Sequence, residues 1–177
     1  VDAGVHHLQR EAKHVKPADR LALLQGLYRD KVALRRRHEA GAALVASYDA
    51  NNAYQFAIAR EEAHLDWLRR AITAMGGVPD DSADPPPLPV PRGRADAVRT
   101  VAGDDARLAA EFESRWRDRV AACSQARDRK MLELLLGEAL EHQRFFAQAA
   151  SGDTDLLGRR PVGAGTPGDV LAARWVG

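Results

Sequence analysis

Apolar residues recur along this chain at spacings of three and four, the period of an α-helix with one face turned inward. Leu21, Leu24, Leu27, Tyr28, Val32, Leu34, Ala42 and Val45 form a first stripe, opened by Pro17-Ala18-Asp19 and running to about Ala46. Pro and Asp suit a helix start. Ser47 to Asn52 has turn composition. A second helix is predicted from about Asn52 to Met75, and Gly76-Gly77-Val78-Pro79 ends it. Leu108, Ala109, Phe112, Trp116 and Val120 define a third helix, predicted to start near Asp104-Asp105 after a short helical piece at Ala95 to Val101. A break at Ser124 to Asp128 leads to a fourth, Arg129 to Ala150, with Leu132, Leu135, Ala139, His142 and Phe146 inward.

Between the second and third helices the pattern stops. Asp80 to Pro91 holds five of its prolines within seven residues, Pro85 to Pro91, and reads as extended. A bundle whose second and third helices run parallel needs a long connection here, so the stretch reads as a crossover strap. A docking peptide for a partner is the other use of such composition. The chain divides into an N-terminal extension 1–16 with His6, His7 and His14, a bundle 17–151 with its crossover at 77–103, and an irregular tail 152–177 ending in Trp175-Val176-Gly177. Trp175 is expected to dock on the bundle or on another subunit. The fold class is all-α, an antiparallel four-helix bundle.

Composition narrows the chemistry. A net charge of +1 gives no global field for nucleic acid or membrane binding. Cys123 is the single cysteine, which excludes an intrachain disulfide and a thiolate zinc site. No apolar run has the length of a membrane span, and Val1 to Lys16 lacks a signal-type apolar segment. A cytoplasmic protein is the expectation. The basic run Arg35-Arg36-Arg37 reads as a solvated face. Phosphate loops, nucleophile elbows and paired-cysteine motifs do not occur, so nucleotide binding and nucleophilic catalysis find no support.

One feature of the stripes stands out. Glu61 and His64 share the inner face of the second helix with Tyr54, Ala57 and Leu68. Burying an unpaired charge is costly. A bound metal supplies one reason for such a pair, and an ordinary hydrogen-bonded helical pair supplies another. The second hairpin repeats the pattern. Glu39 and Glu113 lie at similar distances before their turns as Glu61 and Glu138 lie after them, and Glu138 and His142 share a face. The offsets between hairpins are 74, 77 and 78 residues.

These residues resemble the ferritin-like superfamily, and within it the rubrerythrin-type bundles, over roughly residues 18–150. The resemblance rests on Glu39, Glu61-Glu62-Ala63-His64, Glu113 and Glu138 to Phe146. It implies a two-metal carboxylate site of iron or manganese, with zinc as a substitute. Glu39, Glu61 and His64 would hold one metal. Glu113 and His142 would hold the other, with Glu61 and a fourth-helix Glu bridging. The implied activity is redox chemistry with oxygen or peroxide. The family pattern places a Glu three residues before the second His, and Ala139 stands there. Three outcomes stay open: a metal pair built with Glu138, a single metal, or none. A metal-free bundle serving as an interaction or scaffold protein is the alternative. Its contact surfaces for a homodimer or partner protein would be the strap, the tail with Trp175 and the basic run.

Overall fold

The apolar stripes become four α-helices in a computed structural model of the chain, which describes residues 17–154 and 156–157. They are α1 (Pro17–Leu44), α2 (Tyr48–Ala74), α3 (Arg94–Ala121) and α4 (Ala126–Ala150). The tail beyond Leu157, with Trp175, and the N-terminal histidines lie outside the described residues. No helix among the described residues is long and apolar enough to cross a membrane.

Contacts between side chains set the topology. Arg37 of α1 reaches Asp104 and Asp105 near the start of α3, while Asp30 accepts from Trp116 Nε1 at 2.9 Å further along it. The residue numbers run in opposite directions, so α1 and α3 are antiparallel. His64 meets Glu138, and Phe56 meets Phe145, so α2 and α4 are antiparallel as well. With short turns inside each hairpin, α2 and α3 are parallel, as the crossover argument requires. The strap traces that crossover along α1. Gln25 donates to the Val78 carbonyl at 3.2 Å, Tyr28 to Asp81 at 2.5 Å and Arg36 to the Ala83 carbonyl at 2.8 Å. Arg37 then donates to the Pro87 carbonyl.

Three boundaries differ from the sequence expectation, each for a local reason. The turn composition at Ser47 to Asn52 belongs to the first turn of α2. Ser47 is its N-cap, with Oγ accepting from the Ala50 N–H at 3.5 Å, and Asp49 follows at the positive end. The first connection is therefore only Val45-Ala46-Ser47. Helix α3 starts at Arg94, ten residues early, with Asp96 accepting from the Arg92 N–H at 3.1 Å and from Thr100 at 2.9 Å. The predicted short piece is continuous with it, and the crossover ends at Gly93 rather than 103. Helix α4 starts at Ala126. At the end of α2, Gly76 takes φ 76°, and Gly77 N–H bonds the Ile72 carbonyl at 3.0 Å, a left-handed stop of the expected kind.

The basic run is not a solvated face. Arg37 is completely buried. Its guanidinium joins α3 to the strap: Nη2 lies 2.9 Å from Asp104, Nε lies 2.9 Å from Asp105 Oδ1, and Nη1 reaches the proline carbonyls. Tyr54 closes the group by donating its hydroxyl to Asp105.

The apolar interior falls into two halves. One gathers Leu24, Leu27, Leu68, Trp116, Leu132 and Leu135; the other gathers Val45, Ala53, Val101, Phe146 and Leu156. Ala83 and Leu88 of the strap pack on one half each. A polar layer lies between them.

Close approach of α1 and α3 explains a glycine that helix propensity disfavours. A Cβ at Gly26 would stand 2.6 Å from Trp116 Cη2. Propensity alone makes Gly26→Ala a gain of about 1 kcal/mol. Because the indole is buried and held by Asp30, we expect the opposite sign, a loss of about 1–3 kcal/mol of overpacking strain. Urea unfolding of the variant checks the sign, and a stabilised protein would contradict this helix contact.

Candidate functional site

The polar layer is built from five buried residues on the inward stripes of α1, α2 and α4. Glu61 is 1% exposed and His64 fully buried on α2, His142 is 1% exposed on α4, and His38 is 1% exposed on α1. Lys31, also on α1, is fully buried among them. Its Nζ lies 3.4 Å from Glu61 Oε1 and 4.9 Å above the Phe112 ring centre. The other oxygen of Glu61 lies 3.0 Å from His38 Nδ1. The first turn sets this pairing. With the turn centred on Ala46, the α1 position level with Glu61 is Lys31, not Glu39.

Glu39 accordingly stays outside. It is exposed, bonded to Arg35 at 2.5 Å, and shares that arginine with Glu62 on the α1–α2 seam. Glu113 is buried but turned along its own helix, where Arg117 Nε holds it at 2.7 Å beside the α3–α4 groove. Glu138 does reach across to α2. Arg60 grips it with two bonds, at 2.8 and 2.5 Å, and His64 Nε2 lies 2.9 Å from its Oε2. Ala139 packs in the apolar interior where the family pattern places a carboxylate. Of the six predicted ligands, the fold thus collects Glu61, His64 and His142 in the layer, touches it with Glu138, and leaves Glu39 and Glu113 out.

Lys31 and His38 are not among the residues the resemblance implies as ligands. Both lie on the series Leu24, Leu27, Lys31, Leu34, His38, so the signal was present in the spacing. A lysine on an apolar stripe reads by default as a snorkelling edge residue.

Burial and charge set the protonation of the layer. Burial would push the Glu61 carboxyl up, but His38 and Lys31 overcome it and hold it at about 2. Burial presses the His64 ring down to about 4, and Lys31 adds to that shift against the pull of Glu138 and Glu61. Burial presses His142 to about 3, with Lys31 and the other imidazoles adding to it. Arg60 and His64 hold Glu138 below the usual carboxylate range despite its part burial. Three ring nitrogens, His38 Nε2, His64 Nδ1 and His142 Nε2, are buried without a hydrogen-bond partner.

Comparison with known proteins agrees with the bundle. No protein-family model matches the chain, and no curated protein matches it. Among solved structures the chain resembles a Rhodobacter capsulatus bacterioferritin, described with a metal-free dinuclear site and a heme iron. The TM-score is 0.51 at 15% identity, over 84% of this chain and 98% of that one. The likeness shows a ferritin-like four-helix fold.

The two-metal carboxylate centre implied by that fold does not fit the residues present. Such a site takes a single Glu from each of two helices and a Glu-His pair from each of the others. Here α1 supplies Lys31, the α3 glutamate is turned away, and α4 lacks its carboxylate at 139. Among the described residues, no three acidic, histidine or cysteine side chains converge on a point that could hold a metal ion.

The neutral histidines give the bundle a defined acid response. In the unfolded chain a histidine titrates at about 6.5. Below that pH the unfolded state binds protons that the folded His64 and His142 refuse, down to about 4 and about 3. Their contribution to stability is therefore complete above 6.5 and falls as pH drops. Between pH 7 and 5 we expect a loss of about 2 kcal/mol for each of the two histidines. Urea unfolding at the two pH values measures it, and His142→Gln should remove about half the drop. A stability that does not change between the two values would contradict the buried, neutral assignment.

Proposed function

We propose that the chain is a metal-independent ferritin-like bundle that works as an interaction or scaffold protein. One observation carries this reading. Each of the four carboxylates expected to hold metal is paired with a cation of the protein itself: Glu39 with Arg35, Glu61 with Lys31, Glu113 with Arg117 and Glu138 with Arg60. A carboxylate gripped by a guanidinium or ammonium is a weaker metal ligand, because the ion must displace a partner of the same sign. In the low-dielectric interior a dication beside Lys31 meets strong repulsion. The alternative of oxygen or peroxide chemistry at an iron or manganese pair needs those same carboxylates free, and zinc as a substitute meets the same obstacle.

The interior charges then serve the fold. Lys31 with Glu61 and Arg37 with Asp105 are two buried pairs, and breaking one partner of such a pair is expected to cost about 3–5 kcal/mol. Of the surfaces expected to meet a partner, the basic run is withdrawn, because Arg36 and Arg37 are engaged with the strap. On α4, Leu134 and Leu140 stand exposed on either side of Gly137, at 51% and 44%. A homodimer or a partner protein met through this ridge, the strap or the tail is the assembly consistent with the reading.

Metal analysis tests the proposal. Untagged protein expressed with added iron and manganese should carry far less than one metal per chain and keep its melting temperature in chelator. Stoichiometric iron or manganese that disappears in the Glu61→Ala/His64→Ala variant would overturn it.

A further inference from the structure

We propose that the outer face of α4 is a self-complementary docking surface, on which a second copy of this chain packs antiparallel with Leu140 of each copy seated over Gly137 of the other. This rests on the reading of the chain as an interaction or scaffold protein, and adds to it the face and the partner.

The face is centred on a glycine that nothing inside the chain explains. Gly26, Gly41, Gly103 and Gly137 lie within helices, where propensity disfavours them. A Cβ at Gly26 would press on Trp116, one at Gly41 on Asp105 and Tyr54, and one at Gly103 would touch Ala150. A Cβ at Gly137 would meet nothing within 4 Å. Its missing side chain leaves a notch on the surface of α4. Leu134 and Leu140 stand exposed three residues before and after it. Gly137 also lines a groove on each side, one shared with Val120 and Leu136, the other with Leu134 and Glu141. An apolar ridge with a notch of this kind is what a second helix packs against. Helix α4 packs on α2 and α3, whereas the strap follows α1, and among the described residues nothing covers this face.

Charge selects the occupant. Lys130, Glu133, Glu141 and Arg144 surround the leucines, two cations and two anions, so the face has no net field for a strongly acidic or basic partner. Their order is the one a two-fold contact needs. With Leu140 opposite Gly137 in an antiparallel pair, Glu133 stands four residues before the glycine and Arg144 four after the leucine, so Glu133 falls level with Arg144 of the second copy. The two-fold axis makes this ion pair twice and fills both notches. Leu134 falls level with the aliphatic stem of Gln143 of the second copy. Within one chain these charges have local partners on exposed helix: Glu133 pairs with Lys130 at 2.9 Å and Arg129 at 3.8 Å, and Arg144 with Glu141 at 3.3 Å. Such pairs are worth little in water, so exchanging them across the contact costs little.

Sedimentation velocity of the untagged full chain over about 1–200 μM should show a reversible dimer with Kd about 10 μM, the weak range of a contact built on one helix pair. Gly137→Gln, a helix-favouring change in open space, should keep or raise the melting temperature yet weaken the dimer at least about tenfold. Glu133→Arg and Arg144→Glu should each weaken it about tenfold by setting like charges together. An equimolar mixture of those two variants should associate as wild type does, because each copy then faces the opposite charge. A wild type that stays monomeric at the highest concentration, a dimer indifferent to Gly137→Gln, or a mixture no tighter than the single variants overturns this inference and leaves the metal-independent reading standing. Association that appears only with added iron or manganese and vanishes in chelator overturns both.

Discussion

The ammonium of Lys31 beside the carboxylate of Glu61, sealed between the two apolar halves of the bundle, is the contact on which the rest of the interior depends. Either charge alone would be untenable there. Together they fix much else. Glu61 stays ionised, so His38 turns Nδ1 toward it. Burial, with the positive centre adding to it, keeps His64 and His142 neutral imidazoles. His64 then takes its partner from the far helix, Glu138, which Arg60 neutralises from the solvent side. One fixed cation thus organises five side chains on three helices.

The framework around this layer keeps it dry and in register. Arg37 draws strap, α1 and α3 together, donating to Asp104 and pairing in charge with Asp105, to which Tyr54 donates its hydroxyl. Burial would raise the Asp105 carboxyl, and His38, Tyr54 and Arg37 act against that rise. The strap bonds α1 at Gln25, Tyr28, Arg36 and Arg37, so the long connection that makes α2 and α3 parallel is also a cover for α1. Where α1 and α3 come closest, Gly26 leaves room for the indole of Trp116. Two polar clusters, one around Lys31 and one around Arg37, therefore tie α1 to its neighbours at two levels.

The bundle was legible from the sequence because its stripes are long and its stops are chemically plain: Pro17, Gly76-Gly77 and the prolines of the strap. The site was legible only in part. Glu61, His64 and His142 were found because acids and imidazoles on apolar stripes are conspicuous. Glu39 was placed level with Glu61 because Ser47 to Asn52 looked like a turn. Ser47 instead caps α2, and moving the turn by a few residues brings Lys31 opposite Glu61. A shift of that size carries a residue from one face of a helix to another, so facing positions cannot be inferred more finely than the turn itself. Arg37 was read as solvated because arginine seldom loses all its exposure. Its partners, Asp104-Asp105 and the proline carbonyls, lie far away in sequence, beyond any local pattern. Ala139 was the departure visible in advance, and it packs in the apolar interior.

The likeness to a bacterioferritin is one of backbone architecture, at a sequence identity that carries the fold and leaves the interior chemistry to be read from this chain. We propose that the interior holds a protein cation in place of a metal pair, and that substitution is the claim to test. Crystals grown with excess Mn2+ and measured for anomalous scattering would do so most directly. The account predicts ordered density for the Lys31 side chain at Glu61 and no anomalous peak within bonding distance of Glu61, His64 or His142. A strong anomalous peak between those residues, with Lys31 swung away, would contradict it.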